Sequence, residues 1–483
     1  MLSSESLIQA VYMAAALLFI LGLKRLSGVR SARGGNRIAA FAMLLAVGAT
    51  LVLLWGDIGL GIVIAGIVAG SAIGAVLAKR VPMTAMPELV ALFNGLGGGA
   101  SMFVAWAEVT RFTGSRPDGA VARTMGEGYL LESDLMGGSE FTVAAVLSLL
   151  IGAVTLSGSL IAYGKLAGSV RGNRFGPIGV RALNVAILLG CLALMWYGGY
   201  VATGGAAIQL ATLAVVVVAL ILGVGLVVPI GGADMPVVIS LLNSYSGLAA
   251  CSTGFVLQNN LLIVAGSLVG ASGLVLTRIM CKAMNRSLAN VLFAGIDASV
   301  EEGDKEYKGV KATSAGELAM VLDAAQSVIF VPGYGLAVAQ AQHKVQELAT
   351  MLEARGCEVR YAIHPVAGRM PGHMNVLLAE ANVPYEQLFE LDQINGEFKN
   401  TDVVIVVGAN DVCNPSAYEE KSAIAGMPVL DVWDARTAVV IKRSLSAGYA
   451  GIKNRLFEMD NTLMFFSDAK AALEETIAEL KDL

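Results

Sequence analysis

A glycine-rich turn at residues 333–338 is the segment whose residue types point most directly to ligand chemistry. Gly333, Tyr334 and Gly335 follow a short apolar run and open an apolar helical pattern. Two glycines between a strand and a helix allow a tight turn and let a pyrophosphate approach helix N-terminal amides. Val338 replaces the third glycine of the usual pattern. The turn predicts a dinucleotide site, with an ordinary strand-to-helix turn as the alternative.

Polar residues at the ends of the neighbouring apolar runs indicate which dinucleotide would bind. The run after the glycine turn ends at Ile363 and His364 without a carboxylate, whereas an NAD site places an acid against the ribose and an NADP site a cation. An adjacent Lys and Arg after a later run suit a dianionic phosphate, unless they are only a solvated strand end. The candidate contacts are Lys442, Arg443, Ser444, Gly408, Asn410 and Asp411. They favour NADP over NAD.

A second group of polar residues lies within or at the ends of long apolar segments. It consists of Asn94, Ser157, Ser159, Asp234 and Asn243. At about 1.5 Å per residue, Asn243 lies roughly 13 Å beyond Asp234 and Ser157 about 12 Å before Lys165, so both fall at a similar depth. No histidine precedes residue 343, which excludes an imidazole relay from this chain alone. The group predicts a proton path, although intramembrane serines and asparagines also serve as helix–helix contacts.

The composition indicates a membrane protein with a soluble extension. Of 483 residues, 56% are hydrophobic and 15% charged. The charge is +7 before residue 290 and −12 after it, and neither part suggests a nucleic-acid partner. The five cysteines have no metal-ligand spacing, so we interpret them as packing thiols and expect no metal site.

Nine apolar segments are long enough to span a bilayer as helices. They cover residues 7–23, 38–55, 58–78, 86–106, 141–166, 182–201, 209–230, 235–257 and 261–280. Lys and Arg concentrate in alternate connections, while the loop with Arg111, Arg116 and Arg123 also holds six acids. The distribution predicts an external N-terminus and a cytoplasmic C-terminal part.

The C-terminal part alternates apolar strands with helices. Strands are expected at residues 327–331, 359–363, 403–407, 429–432, 438–441 and 463–466. A single helix is expected from the glycine turn through Val345 and Leu352 to Gly356. Continuous apolar strands separated by helices predict a parallel sheet covered on both faces, with ligands at the carboxyl ends of its strands.

Taken together, these motifs resemble the beta subunit of proton-translocating NAD(P) transhydrogenase over the whole chain. The segments that carry the resemblance are residues 230–236 (IGGADMP), 242–247 (LNSYSG), 331–335 (VPGYG), 364–369 (HPVAGR), 372–375 (GHMN), 408–411 (GAND), 442–444 (KRS) and 448–451 (GYAG). The resemblance implies a polytopic helical membrane domain followed by a cytosolic Rossmann-like α/β domain. We assign residues 1–290 to the first, 291–311 to a linker and 312–483 to the second.

The resemblance also implies an activity and partners. Hydride would pass between NAD(H) on an alpha subunit and NADP(H) on this chain while a proton crosses the bacterial inner membrane, in a dimer of alpha-beta units. NADP(H) would lie reversed, with Gly333 and Gly335 near the nicotinamide half and Lys442 and Arg443 at the 2′-phosphate. Asp411 would lie close to the nicotinamide. Arg369, Gly448 and Tyr449 belong to motifs of the same site.

This sequence departs from the family pattern at one position, and one other interpretation of its function is open. Asp234 and Asn243 match the family's proton-coupling helix, but Asn94 stands where some members carry histidine, so the alpha subunit could supply the protonatable centre. The rival interpretation is a transporter or channel gated by an NADP-sensing cytosolic domain, which needs no hydride partner. No filter-like carbonyl motif lies between the membrane segments.

Overall fold

The computed structural model of the chain describes two compact units, Met1–Thr277 and Arg278–Leu483. The described residues are 4–26, 31–53, 60–82, 85–114, 138–170, 177–198, 205–231, 234–284, 287–293, 307–370, 372–420, 422, 424–448 and 450–483. Tyr449 and most of the predicted linker lie outside these ranges.

The described part of the first unit is built from nine long helices. They are α1 Ser4–Leu26, α2 Ala32–Leu53, α3 Leu60–Arg80, α4 Met86–Gly114, α5 Gly138–Leu166, α6 Pro177–Trp196, α7 Gly205–Val227, α8 Met235–Val256 and α9 Asn260–Ala283. Eight are long and apolar enough to cross a membrane, and the apolar part of α6, Ala182–Trp196, is shorter. The chain is a multi-pass membrane protein, as predicted, and the count of nine spans is approximate.

Helices α4, α5 and α8 pack pairwise against one another and carry all of the predicted membrane-site residues. Glycines bring α4 and α5 into backbone contact. A Cβ on Gly98 would lie 2.9 Å from the Gly152 carbonyl oxygen, and a Cβ on Gly152 would lie 2.6 Å from that of Gly98. Small residues at such crossings let helix backbones approach closely in a membrane.

The second unit contains a seven-stranded, entirely parallel sheet. A short helix, α10 Leu288–Phe293, precedes it. The strands are β1 Lys311–Ala312, β2 Ser327–Pro332, β3 Glu358–Ile363, β4 Leu388–Glu390, β5 Val403–Val407, β6 Thr437–Ile441 and β7 Thr462–Phe465, in the order β1-β7-β6-β5-β2-β3-β4. The helices are α11 Ala315–Asp323, α12 Tyr334–Val338, α13 Gln342–Ala354, α14 His373–Glu380, α15 Leu391–Ile394 and α16 Ala469–Asp482. The predicted class is confirmed.

Two sequence-based predictions in this unit are wrong. The segment at 429–432 is buried but forms no strand, because its backbone bonds go to loops: Leu430 N–H donates to Val412 O at 2.9 Å. The helix expected from the glycine turn to Gly356 is two helices, α12 and α13, because Gln340 adopts a left-handed φ of 50° between them. Gly356, with φ +87°, follows the end of α13 as expected.

Candidate functional site

The glycine turn after β2 is pressed against the turn after β5. Gly333 N–H donates to Val407 O and Gly335 N–H to Gly408 O, each at 2.9 Å. A Cβ on Gly333 would lie 2.4 Å from Ala409 Cα, and one on Gly335 would lie 2.7 Å from Gly408 Cα. These glycines are therefore required by contact between the two turns, and their amides are engaged there.

The crossing turns mark the point where the strand order of the sheet reverses. The chain leaves β2 towards β3 and β4 on one side, and β5 lies on the other side of β2. In doubly wound sheets, dinucleotides bind in the crevice at this switch point, outside the carboxyl ends of the strands. The turns at Gly333 and Gly408 flank this crevice.

One wall of the crevice holds a cation over an aromatic ring. The Arg369 guanidinium carbon lies 4.5 Å from the Tyr334 ring centroid. Buried His373 packs beside them, with its ring centroid 6.4 Å from that of Tyr334, and its Nδ1 accepts the Arg369 N–H at 3.0 Å. Burial, aided by the Arg369 charge, lowers the pKa of His373 to about 4. The imidazole is therefore neutral near pH 7.

His364, after β3, is also a neutral, buried imidazole. Its Nε2 lies 2.7 Å from Pro428 O, and its Nδ1 accepts the Val366 N–H at 3.2 Å. Burial lowers its pKa to about 4 against the opposing effect of the Pro428 contact. These bonds fix the turn between β3 and Arg369.

Asp411, after β5, is buried under the segment that follows β6. It is 1% exposed, and its Oδ2 accepts the Ala450 N–H at 3.0 Å. A Cβ on Gly448 would lie 2.2 Å from the same oxygen, so a larger residue there would displace the Asp411 carboxylate. Asn410, its neighbour, is bridged to the same segment, because Asn454 Nδ2 donates to its backbone carbonyl at 3.0 Å. The predicted residues of these two segments are therefore brought together.

The predicted Lys-Arg-Ser phosphate site is divided between the interior and the surface. Lys442 is half-buried, donates to the Ser446 carbonyl and lies 5.3 Å from the Phe457 ring centroid. Burial lowers the pKa of Lys442, partly offset by the Asp411 carboxylate. Arg443 and Ser444 are exposed. Of the adjacent cations, Arg443 therefore faces solvent, whereas Lys442 turns partly inward.

The membrane residues Asn94 of α4 and Ser159 and Ser157 of α5 lie at three different helix contacts. Asn94 Nδ2 donates to the α8 carbonyl of Ile239 at 3.2 Å. Ser159 is fully buried, with its Cβ 3.0 Å from where a Cβ on Gly95 would stand. Ser157 faces the other way: its Oγ would lie 2.1 Å from a Cβ on Gly223 of α7. Asn94 therefore lies at the contact of α4 with α8, Ser159 at the contact of α5 with α4, and Ser157 at the contact of α5 with α7.

The polar residues of α8 do not all face one neighbour. Ser240 and Ser244 donate to the α9 carbonyls of Gly273 and Gly270, at 3.3 and 2.5 Å. Asn243 is half-buried and follows Ile239, the acceptor of Asn94, by one turn. Asp234 is 9% exposed and occupies the N-cap position of α8. The serines thus contribute helix contacts, while Asn243 lies near Asn94.

A further polar cluster was not singled out from the sequence. Ser148 of α5 lies 2.7 Å from the Thr253 hydroxyl of α8 and donates to Ser101 O of α4 at 3.1 Å. All three residues are at most 7% exposed. Single hydroxyls in apolar helices give no periodic signal, so only the packing reveals this cluster.

The fold and the site define a multi-pass membrane protein with a doubly wound, dinucleotide-type domain. Two comparisons with known proteins give the family. The chain matches the family described as NAD(P) transhydrogenase beta subunit over residues 8–479. It is 47% identical over 479 residues to the protein named NAD(P) transhydrogenase subunit beta from Rhodospirillum rubrum, covering 98% of this chain and 99% of the relative. The corresponding protein of a designated strain of that species gives the same values.

The chain belongs to the NAD(P) transhydrogenase beta subunit family. Membership implies the use of NADP(H) and NAD(H), and a beta subunit implies an alpha subunit as its partner. The family assignment made from the motifs is confirmed.

Proposed function

We propose that this chain is the NADP(H)-binding, proton-conducting subunit of a Si-specific, proton-translocating transhydrogenase. Hydride would be exchanged with NAD(H) held by an alpha subunit, in a dimer of alpha-beta units in the bacterial inner membrane. The N-terminus would be external and the sheet domain cytoplasmic. The observation that carries the proposal is the β2–β5 switch point, flanked by Arg369 on one side and by Asp411 on the other.

The residues of the crevice fit a phosphorylated dinucleotide by their chemistry. The bound cofactor supplies a transferable hydride, and the protein supplies binding, orientation and charge. Arg443 and Ser444 are the exposed donors for a 2′-phosphate, since a guanidinium binds phosphate in a bidentate manner. Tyr334 and Arg369 form a flat, cationic wall. Asp411, held by Ala450, contributes fixed negative charge near the nicotinamide half.

The proton path is proposed to follow the shared interface of α4, α5 and α8. Asn94, Ser159 and Asn243 would orient water there, because amides and hydroxyls do not titrate near neutral pH. A carboxylate, Asp234 or Glu88, or a group of the alpha subunit would then hold the proton. Glu88 begins α4, and its Oε2 is buried without a hydrogen-bond partner among the described residues. Protonation of such a carboxylate would change the affinity for NADP(H). By linkage, NADP(H) binding would change the affinity of the carboxylate for the proton by the same factor.

The test is a comparison of two reactions in vesicles that contain the chain with its alpha partner. One is proton pumping driven by NADPH-dependent reduction of an NAD analogue, with and without an uncoupler. The other is a cyclic exchange between NAD analogues that needs bound NADP(H) but no net proton transfer. We expect Asn243→Leu and Asp234→Asn to lower pumping about tenfold relative to the cyclic reaction, whereas Ser272→Ala, an exposed α9 site, changes neither.

Three outcomes would contradict the proposal. Unchanged pumping in both variants would eliminate the path through α8. Transhydrogenation by this chain without a second subunit would refute the division of the two nucleotides between subunits. Solute flux that responds to NADP(H) without hydride exchange would instead indicate the gated transporter.

A further inference from the structure

The end of α7 has carbonyl groups that its own helix cannot satisfy. Pro229 lies at the position whose N–H would bond to the Gly225 carbonyl, and proline has no N–H to donate. Asn184 of α6 replaces that donor: its Nδ2 lies 2.8 Å from Gly225 O. A side chain from another helix therefore completes this helix end.

Lys165, in the last turn of α5, donates to two carbonyls of the turn that follows α7. Its Nζ lies 2.5 Å from Val228 O and 2.5 Å from Ile230 O. A cation is favoured at a helix C-terminus, where free carbonyls concentrate negative partial charge. The ammonium thus anchors the turn that follows α7 to the end of α5.

This anchored turn leads directly to Asp234. Asp234 N–H donates to Gly231 O at 3.2 Å, and Gly231 is the residue after the carbonyl that Lys165 holds. Asp234 occupies the N-cap position of α8 without a side-chain cap bond to that helix. The backbone bond to Gly231 therefore links Asp234 to a turn that is held from α5.

Lys165 connects two parts of the proposed proton path. Ser159 lies six residues before it on the same helix, at the contact with Gly95 of α4, and Asp234 lies beyond the anchored turn. A movement of the α5 end would displace the turn of Asp234 through two short hydrogen bonds from the ammonium. A side chain of similar length without charge would leave both carbonyls without this donor.

We propose that Lys165 is a positioning residue for proton translocation, which holds Asp234 in place through the Val228 and Ile230 carbonyls. The inference rests on the proposed function, because it assigns a support to the carboxylate at the mouth of the path. It requires a positive donor group at the end of α5, and not only a side chain that fills space.

The experiment uses the full complex with the alpha subunit in vesicles. Lys165→Met removes the charge and the donors at similar length, and Lys165→Arg keeps both. Lys79→Met is the matched control, since Lys79 also ends an apolar helix, α3, but is exposed. For each variant, the ratio of NADPH-driven proton pumping to the cyclic exchange is measured, together with the KM for NADPH.

We expect Lys165→Met to lower the ratio at least fivefold, Lys165→Arg to restore it to within twofold of the wild type, and Lys79→Met to leave it unchanged. A wild-type ratio in Lys165→Met would overturn the inference. If Lys165→Met lowers pumping and cyclic exchange equally and Lys165→Arg does not restore them, Lys165 is needed only for folding. That result would also overturn the inference. Wild-type vesicles that exchange hydride without pumping would refute the proposed function instead, so the two failures are distinguishable.

Discussion

Replacing Gly408 by alanine should separate the packing role of the switch-point glycines from their conformational role. Gly408 has a φ of +66°, which disfavours any other residue, and an added Cβ would lie 2.4 Å from Gly335 Cα. Gly356 has a similar φ of +87°, but an added Cβ there meets nothing within 4 Å. Gly356→Ala is therefore a control that carries the backbone cost alone.

The expected loss of stability is the sum of a conformational cost and a packing cost. The left-handed conformation costs a non-glycine residue about 1–2 kcal/mol. Overpacking of a rigid contact adds about 1–3 kcal/mol, because Gly335 Cα is backbone and cannot rotate away. Gly408→Ala should therefore lower the free energy of unfolding of the sheet domain by about 2–5 kcal/mol, and Gly356→Ala by about 1–2 kcal/mol.

Denaturant unfolding of a fragment from about residue 300 to Leu483 measures both values, and calorimetry with NADP(H) measures binding. We expect Gly408→Ala to weaken NADP(H) binding at least tenfold, since it separates the two turns that flank the crevice, while Gly356→Ala leaves affinity unchanged. Equal destabilisation by the two variants would show that the contact of Gly408 with Gly335 has no energetic weight and would refute the reasoning.

Two further predictions concern the same domain. Arg443→Gln should weaken NADP(H) binding by about 2–5 kcal/mol and leave NAD(H) binding unaffected. The control Arg436→Gln, at a residue before the other end of β6, should change neither affinity. Equal calorimetric affinity of the wild type for both dinucleotides would contradict the proposed site. His364 and His373 are neutral in the folded protein, because their pKa values lie near 4. Below about pH 6.5 the unfolded chain therefore binds more protons than the folded protein does. The folded domain should lose stability as the pH falls from 6.5 towards 4. The loss should reach about 2–3 kcal/mol for each imidazole in denaturant titrations.

The architecture was predictable because both units carry strong periodic signals. Long apolar runs gave the membrane helices, and apolar runs of four or five residues gave β2, β3, β5, β6 and β7 within a residue or two. Strands β1 and β4 were missed, since two or three residues at a sheet edge are too short for a pattern. The apolar segment at 429–432 was mistaken for a strand because burial alone does not require a place in the sheet.

The members of the candidate site stay predictions from the motifs, and their geometry could not be read from the sequence. The motifs located Gly333, Asp411 and Arg443, but no sequence pattern tells that Gly333 contacts the turn after β5 or that Lys442 turns inward to Ser446. The break between α12 and α13 depends on the left-handed φ of Gln340, which glutamine adopts rarely. These details arise from tertiary contacts that local sequence does not encode.

The first strand of the sheet has a consequence for biosynthesis. β1 pairs in parallel with β7, and Lys311 donates to Asp460 O at 2.7 Å, so the beginning of the domain is bound to its last fifth. During translation, residues 311–312 emerge about 150 residues before their partners. The sheet therefore cannot be completed until nearly the whole chain has been translated. The membrane helices are synthesised before the C-terminal domain can finish folding. A chain that stops before Thr462 lacks β7, which leaves β1 without its neighbour and β6 as an open edge exposed to association with other chains.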